Sequence, residues 1–358
     1  MDRTDLVVTT GGLGPTHDDI TKRVLADLFE AKLVRDERVV AMIEEFFRKR
    51  GQEMSHYALV QSDVPDKAEV LYNEKGSAPG LLFRRGEKAL YALPGVPLEM
   101  EHLLEKYILP EAASHGTKIG HRRLKTTGIT ESALWSQIGT MASIQNTIQV
   151  ASLPSHLGVT LRLSASHEDR KVIQHRLDRG EDFFRDLIGL HIFGTDDDTI
   201  EAVIGDLLRD GGLKMATAES CTGGLIGNRV TNIPGSSDYF LEGFVNYTNE
   251  SKSQRLCVKP ELLKTYGAVS REVAIAMAEG VRNITGADVS LAVTGIAGPA
   301  GGTVTKPVGL TYIALSAKWT CECETFVFSQ DRVRNKERAA QAALNMLRLW
   351  LIDPKSTQ

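Results

Sequence analysis

The stretch from Ala218 to Lys252 concentrates small nucleophiles and glycines where a strand should pass through a loop into a helix. It contains the segments Glu219-Ser220-Cys221-Thr222-Gly223-Gly224, Gly235-Ser236-Ser237 and Tyr247-Thr248-Asn249-Glu250-Ser251-Lys252. The last histidine is His191, so a hydrolase in the C-terminal part cannot use a Ser-His-Asp triad or a histidine-ligated metal unless another domain lends the imidazole. A serine activated by a lysine is the variant of nucleophilic catalysis that remains.

The composition is that of an ordinary globular protein. The 358 residues are 42% hydrophobic and 25% charged, which is enough chain for two or three domains. The net charge of −4 argues against nucleic acid or an anionic membrane as a partner. No apolar run approaches the roughly 20 residues that span a bilayer. No signal peptide is visible, and four cysteines are too few for a disulfide framework, so we expect a cytoplasmic protein.

The order of the apolar patterns predicts two α/β domains joined by a small α+β module. In the first domain Leu6–Thr10 predicts a buried strand, and Asp18 and Asp19 stand where the cap and first turn of a helix from Ile20 belong. The apolar runs Leu81–Phe83 and Ala89–Leu93 predict paired strands around a turn. The middle region combines an alternating strand with a long charged helix, Lys171–Gly189. The predicted boundaries are residues 1–118, 119–194 and 195–353.

The third region predicts strands that end at glycine-rich loops. Its main predicted elements are strand Leu213–Thr217, helix Gly223–Asn232, strand Gly243–Thr248, strand Ala287–Thr294 and a closing helix Val333–Leu351. Tyr247 then lies on a strand. Ligands of α/β folds bind beyond the carboxyl ends of the strands, so we expect the site at these loops.

The N-terminal loop Thr10-Gly11-Gly12-Leu13-Gly14-Pro15-Thr16 has two interpretations. Its glycines would let backbone N–H groups approach a phosphate at the start of a helix. Asp18 and Asp19 could then hold a divalent cation against that phosphate. The alternative is a tight turn with two capping aspartates, and the residue types alone do not choose between them.

A second loop runs from Gly295 to Gly309, with five glycines and Lys306. Thr294, Lys306 and nearby N–H groups would suit a phosphate monoester. The alternative is a flexible hairpin, and the glycine and lysine content favours binding.

The third constellation is a serine, a lysine and a tyrosine. Burial lowers the pKa of a lysine, which can then accept the proton of a serine. The candidates are Ser237 with Lys252, with Ser220 or Cys221 as neighbours, and Tyr247 as an orienting or relay group. The alternative is that Ser237 caps a turn and Lys252 is a solvated helix residue, and spacing alone favours that alternative.

Six blocks of the C-terminal region resemble the CinA family, the nicotinamide mononucleotide deamidases. They are Ala218–Gly224, Pro234-Gly235-Ser236-Ser237, Tyr247–Lys252, Gly267-Ala268-Val269-Ser270, Thr294–Pro299 and Lys306-Pro307-Val308-Gly309. The resemblance covers roughly residues 199–351. It implies an amidohydrolase that converts nicotinamide mononucleotide to nicotinic acid mononucleotide and ammonia in NAD salvage, as a homodimer and without a cofactor.

The resemblance also implies roles for single residues. Ser237 attacks the carboxamide carbon, Lys252 takes its proton and Tyr247 assists the proton transfer, while Cys221 is the second-choice nucleophile. Backbone N–H groups of the glycine loops stabilise the oxyanion, and Arg332 binds the substrate phosphate or maintains the site. The residues implied to bind substrate are Ser220, Thr222, Gly223, Thr294, Gly295, Gly298 and Arg332.

The earlier chain is similar to the rest of the same family. Thr10–Asp19 and Leu93-Pro94-Gly95-Val96-Pro97 resemble its molybdopterin-binding-like domain, and the middle region resembles its KH-like domain. The KH-like region lacks a clear Gly-x-x-Gly clamp, so no RNA partner is expected.

In some relatives the N-terminal domain hydrolyses ADP-ribose with a divalent metal and K+. For this chain the resemblance implies a nucleotide loop of Gly11, Gly12, Gly14 and Asp19, with Asp19 as a metal ligand. Family members usually carry a further βα unit ahead of this loop, so we expect the pyrophosphatase activity to be impaired here. The alternatives to a deamidase are therefore this metal-dependent pyrophosphatase or a non-catalytic molybdopterin- or nucleotide-binding protein.

Overall fold

The computed structural model describes residues 4–112, 118–328 and 331–353, which divide into two compact units, residues 1–116 and 117–358. The elements of the first unit are β1 (Leu6–Thr10), α1 (Thr21–Leu28), β2 (Leu33–Arg35), α2 (Glu37–Lys49), α3 (His56–Leu59), β3 (Asp63–Pro65), β4 (Glu69–Leu71), β5 (Gly80–Arg85), β6 (Lys88–Leu93), α4 (Pro97–Leu103) and α5 (Leu109–Ala112). One π turn, Leu104–Ile108, joins α4 to α5.

The first unit is built on a four-stranded sheet in the order β1-β6-β5-β4, with β1 parallel to β6 and the other pairs antiparallel. The predicted pairing of Leu81–Phe83 with Ala89–Leu93 is confirmed. The predicted cap of the first helix is wrong: α1 begins after Ile20, which provides no side-chain cap. Asp19 instead bonds Thr16 within the loop, since a short aspartate side chain readily closes a local turn.

The middle part of the second unit is an antiparallel sheet covered by helices, which confirms the predicted α+β module. Its elements are β7 (Lys118–Thr126), α6 (Glu131–Ile138), β8 (Gln149–Ser155), β9 (Gly158–His167), α7 (Arg170–Ile188) and β10 (Ile192–Thr195), with strand order β10-β7-β9-β8. The inward stripe of α7 includes Ile173, Leu177 and Phe184, which pack against β7 and β9. This helical spacing of apolar residues produces the helix in the predicted place.

The C-terminal part of the second unit is the second α/β domain. Its elements are α8 (Ile200–Asp210), β11 (Met215–Glu219), α9 (Leu225–Thr231), β12 (Phe240–Val245), α10 (Asn249–Leu256), α11 (Pro260–Tyr266), α12 (Arg271–Thr285), β13 (Val289–Gly295), β14 (Leu310–Ala317), β15 (Cys321–Val327) and α13 (Arg332–Ile352).

The C-terminal sheet has the order β12-β11-β13-β14-β15 and is covered on both faces. Successive side chains of β11 alternate between the faces: Met215 packs with α8 and α13, and Ala216 packs with α12. β11 is parallel to both β12 and β13, so these three strands end at the same edge of the sheet. That edge is where a ligand site is expected in an α/β fold.

No helix within the described ranges has both the length and the apolar character needed to cross a bilayer.

A buried lysine in the first unit provides a test of its packing. Lys22 is buried, and its Nζ donates to the carbonyl of Val60 at 2.9 Å. Burial lowers the pKa of Lys22 to about 8. An unfolded lysine keeps a pKa near 10.4, so between about pH 8 and 10 the unfolded chain binds a proton that the folded chain has released. Stability should therefore rise with pH across this window.

We expect the first unit to gain on the order of 2 kcal/mol of stability between pH 7.5 and pH 10, and the gain to disappear in Lys22→Met. Pulse proteolysis in urea, with the first-unit fragments followed by mass spectrometry, measures this difference. An equal gain in Lys22→Met would contradict the assignment of the effect to Lys22.

Candidate active site

The loops after β11, β12 and β13 meet at the carboxyl edge of the C-terminal sheet. Two backbone hydrogen bonds continue the ladders beyond the strand ends. The N–H of Ser220 donates to Val293 O at 2.9 Å, and the N–H of Asn246 donates to Glu219 O at 2.8 Å. The polar loops are thereby brought to one place by the parallel pairing.

Lys252 and Ser220 form a buried pair at this edge. Lys252 is only 1% exposed on α10, and its Nζ lies 3.1 Å from Ser220 Oγ. The same nitrogen donates to the backbone carbonyls of Asn246, at 2.8 Å, and Tyr247, at 3.3 Å. The alternative of a solvated Lys252 is therefore wrong.

The electrostatics of this pair make the amine easier to deprotonate. Desolvation by burial lowers the pKa of Lys252, because the charged ammonium loses its hydration. A neutral amine has two N–H donors and one lone pair. The carbonyls of Asn246 and Tyr247 can take the two N–H groups, which leaves the lone pair facing the hydroxyl of Ser220. The geometry is that of a base beside its proton donor.

The predicted pairing of Ser237 with Lys252 is wrong. Ser237 is exposed in a 3₁₀ turn, Ser236–Asp238, that precedes the amino end of β12. Lys252 lies beyond the carboxyl end of the same strand. The 6 residues of β12 span roughly 20 Å of extended chain. The structure therefore assigns the lysine to Ser220, which the sequence analysis had only as a neighbour.

Cys221 is unsuited to the part of second-choice nucleophile. Its side chain lies in the core with Ile226 and Val230 of α9. Burial raises the pKa of the Cys221 thiol to about 12, so the reactive thiolate is disfavoured.

A buried carboxylate fixes the turn that carries Ser220. The two oxygens of Glu219, which is 1% exposed, accept hydrogen bonds from the N–H groups of Gly224, Ile226 and Gly227 at 2.9–3.1 Å. Gly223 and Gly224 take positive φ angles of +65° and +91°, which other residues rarely adopt. The carboxylate thus occupies the positive end of α9 and orders the tight turn before it.

Tyr247 and Arg332 lie together beside the pair. Tyr247 follows β12 instead of lying on it, because the strand lies three residues earlier than the sequence predicted. Tyr247 is 57% exposed. The guanidinium of Arg332, at the start of α13, donates to Tyr247 Oη at 2.9 Å and to Gly298 O at 2.7 Å. Arg332 therefore ties the phenol to the glycine loop after β13.

The remaining predicted residues line or support the same edge. Thr294 is buried and its hydroxyl donates to Ala268 O at 2.8 Å, while Lys306 Nζ donates to Tyr266 O and Val269 O at 2.6 and 2.7 Å. Both side chains hold the turn before α12 instead of facing a phosphate. Of the other predicted residues, Thr222 lies fully buried within the Ser220 turn, and Gly295 is the last residue of β13.

The glycine loop that follows β1 in the first unit forms tight turns. Gly11 and Gly12 have φ angles of +90° and +73°, and a side chain on Gly12 would collide with Thr21. Gly14 lies against the carboxylate of Asp19, whose Oδ2 accepts hydrogen bonds from both the N–H and the hydroxyl of Thr16. These hydrogen bonds, the one to the Thr16 hydroxyl first, lower the pKa of Asp19.

Asp18 and Asp19 are the candidate metal ligands from the residue pattern, and the resemblance implies Asp19. Within the described ranges, no group of three or more His, Cys, Asp and Glu side chains is arranged to hold a metal ion. A single carboxylate could take part only together with phosphate oxygens of a substrate, as Mg²⁺ sites often do. The metal requirement and the K+ requirement of a pyrophosphatase stay predictions.

The roles of Glu219 and Asn246 were not predicted from the sequence. Glu219 has a readable signal, since a carboxylate close to the amino end of a helix is stabilised by the helix dipole. Asn246 shows no such signal: its carbonyl orders Lys252 and its amide binds Ser251, contacts that depend on where β12 ends.

The fold and this site define a three-part protein whose C-terminal α/β domain carries a buried serine–lysine pair at the carboxyl edge of its sheet. Family models match along its length: the "CinA C-terminal domain" at residues 197–351, the "Damage-inducible protein CinA KH domain" at 121–194 and a "Probable molybdopterin binding domain" at 1–114. The "CinA-like protein" of Chloroherpeton thalassium is 43% identical over 358 residues, covering 97% of this chain and 85% of the relative. The chain therefore belongs to the CinA family.

Solved structures also match part of the chain. The competence/damage inducible protein CihA of Agrobacterium tumefaciens is 42% identical, with a TM-score of 0.40, and the match covers 41% of this chain and 93% of that protein. A CinA superfamily protein of Enterobacter cloacae is 34% identical, with a TM-score of 0.41, and the match covers 44% of this chain and 95% of that protein.

Replacing Glu219 should loosen the Ser220 turn. In Glu219→Gln an amide NH₂ would replace one acceptor oxygen and face a backbone donor. Hydrogen bonds to a charged group contribute roughly 1.5–3 kcal/mol each. We expect the amides of residues 224–231 to exchange hydrogen about ten- to a hundredfold faster, as measured by mass spectrometry. Glu242→Gln, on the exposed face of β12, is the control, and equal effects in both variants would refute the capping role.

Proposed function

We propose that the chain is an amidohydrolase that converts nicotinamide mononucleotide to nicotinic acid mononucleotide and ammonia, with Ser220 as the nucleophile. The observation that carries the proposal is the 3.1 Å contact between Ser220 Oγ and the buried Lys252 Nζ. A serine needs a base to become a useful nucleophile, and a lysine kept neutral by burial provides one. Family membership supports the same proposal, since the CinA resemblance implies this reaction.

The proposed reaction has two steps. Ser220 Oγ attacks the carboxamide carbon while Lys252 Nζ takes the hydroxyl proton. Lys252 then passes that proton to the leaving nitrogen, which departs as ammonia and leaves an ester on Ser220. A water molecule gives its proton to Lys252 and attacks the ester, and the return of this proton to Ser220 Oγ releases the carboxylic acid. Apart from the substrate and this water molecule, both steps use only Ser220 and Lys252.

The surroundings of the pair suit a pyridine mononucleotide. The exposed ring of Tyr247 offers a flat apolar surface for the base, and Arg332 holds the phenol in place. The developing oxyanion would take its donors from the backbone N–H groups of Cys221 and Thr222, because those of Gly223 and Gly224 are already bonded to Ser220 O and to the Glu219 carboxylate. In this proposal Tyr247 orients the substrate, and its carbonyl orients Lys252.

Two serine variants separate the proposed nucleophile from the one that the resemblance implied. Ser220→Ala should lower ammonia release from nicotinamide mononucleotide by at least about a thousandfold, because Ser220 Oγ is the hydroxyl bonded to Lys252 Nζ among the described residues. Ser237→Ala should leave the rate within about twofold. A coupled ammonia assay with EDTA present measures both. Full activity in Ser220→Ala would disprove the proposal, whereas loss in Ser237→Ala would restore the first assignment.

The pH dependence tests the neutral lysine. Protonated Lys252 has no lone pair, so kcat/KM should rise with pH through the pKa of Lys252 and reach half its maximum below the ordinary lysine range, because burial lowers that pKa. Lys252→Arg keeps the charge but cannot lose its proton, so it should stay inactive at every pH. A flat profile in the wild type, or activity in Lys252→Arg, would contradict a lysine base.

A further inference from the structure

The first turns of α13 place two cations on one face beside the site. Arg332 and Lys336 are four residues apart, so their side chains lie on the same side of the helix. The Lys336 ammonium lies against the Ser220 turn: a Cβ built on Gly223 would be 3.5 Å from its Nζ. Gly223 N–H donates to Ser220 O at 3.2 Å, so Lys336 is one turn of chain away from the nucleophile.

This arrangement of charge is unfavourable without an anion. The amino end of a helix carries partial positive charge, which cations oppose, and like charges four residues apart repel each other. The capping Asp331 is the acidic residue at this helix end, and its carboxylate accepts hydrogen bonds from the N–H groups of Val333 and Arg334. In the described part of the chain, neither Arg332 nor Lys336 has a carboxylate within ion-pair distance.

The neighbouring charged groups of α13 are already used. Arg334 pairs with the capping Asp331 at 3.5 Å, and Glu337 pairs with His156 at 2.7 Å. Arg338 donates to a backbone carbonyl of the middle module. The guanidinium of Arg332 donates to two neutral oxygens, Gly298 O and Tyr247 Oη. Lys336 is the cation of this face whose donors are not used within the described residues.

The other obvious anion position is filled. A phosphate could bind the amino end of the helix after a glycine turn, but the carboxylate of Glu219 already accepts the N–H groups there. On the side of α13, a phosphate near Ser220 would meet the Lys336 ammonium beside Gly223.

We propose that Lys336 binds the phosphate monoester of the substrate, and that it makes the site prefer a mononucleotide to the corresponding nucleoside. The inference rests on the proposed function, which supplies the carboxamide nucleotide. Arg332 is in this view a positioning residue, which holds Tyr247 and the Gly298 loop. The half-buried ammonium of Lys336 next to Gly223 fits a doubly charged, compact oxyanion.

Steady-state kinetics with two amides test the preference. Lys336→Ala should raise KM for nicotinamide mononucleotide by roughly ten- to a hundredfold and leave kcat within about threefold, since the phosphate is remote from the reacting carbon. The same variant should leave kcat/KM for nicotinamide riboside unchanged, and Lys336→Arg should restore most of the mononucleotide affinity. Lys264→Ala, an exposed lysine on α11, is the control. An unchanged KM, or an equal loss with both substrates, would overturn the proposal.

A binding measurement keeps this inference distinct from the deamidase proposal. Calorimetry compares nicotinamide mononucleotide binding to Ser220→Ala and to the double variant Ser220→Ala with Lys336→Ala. Weaker binding in the double variant supports the phosphate contact even where the wild type releases no ammonia, which would refute the deamidase alone. Equal binding overturns the role of Lys336, and no binding by the folded protein overturns both.

Discussion

The serine–lysine site depends on burying Lys252 without an acidic partner. A carboxylate beside the ammonium would stabilise its charge and remove it as a base. The fold instead offers two backbone carbonyls, of Asn246 and Tyr247, and the hydroxyl of Ser220. Neutral acceptors satisfy the nitrogen in either protonation state, and burial lowers the pKa of the lysine. Every other feature of the site positions a group relative to this nitrogen.

The parallel sheet provides that positioning. β11 lies between β12 and β13 and is parallel to both, so the carboxyl ends of all three strands lie side by side. Ser220 follows β11, the carbonyls that bind Lys252 follow β12, and the glycine loop follows β13. Glu219 then orders the turn after β11 from within, and Arg332 ties the loops after β12 and β13 together. The chemistry thus uses rigid strand ends, and the loops need only short connections.

Much of the fold could be predicted from sequence because its periodic patterns are strong. The stripe of α7, the hairpin of β5 and β6 and the closing helix α13 lie within a few residues of their predicted ends. The site was harder, because one strand boundary decided it. Because β12 was predicted three residues too late, Tyr247 was assigned to the strand. The same error concealed that Ser237 precedes the amino end of β12, whereas Lys252 follows its carboxyl end. β12 is an edge strand with mostly exposed residues, so its apolar pattern is weak.

α13 connects the site to the middle module of the same unit. Its first turns hold Arg332 and Lys336, and its later turns bond the middle module: Gln341 donates to Thr127 Oγ1 at 3.1 Å, and Arg348 donates to Leu190 O at 2.5 Å. A helix transmits position along its axis because each turn is bonded to the next. The contacts with the middle module therefore help to set where the cations of α13 lie against the Ser220 turn. In physical terms the middle module is part of the scaffold of the site, although none of its residues takes part in the proposed chemistry.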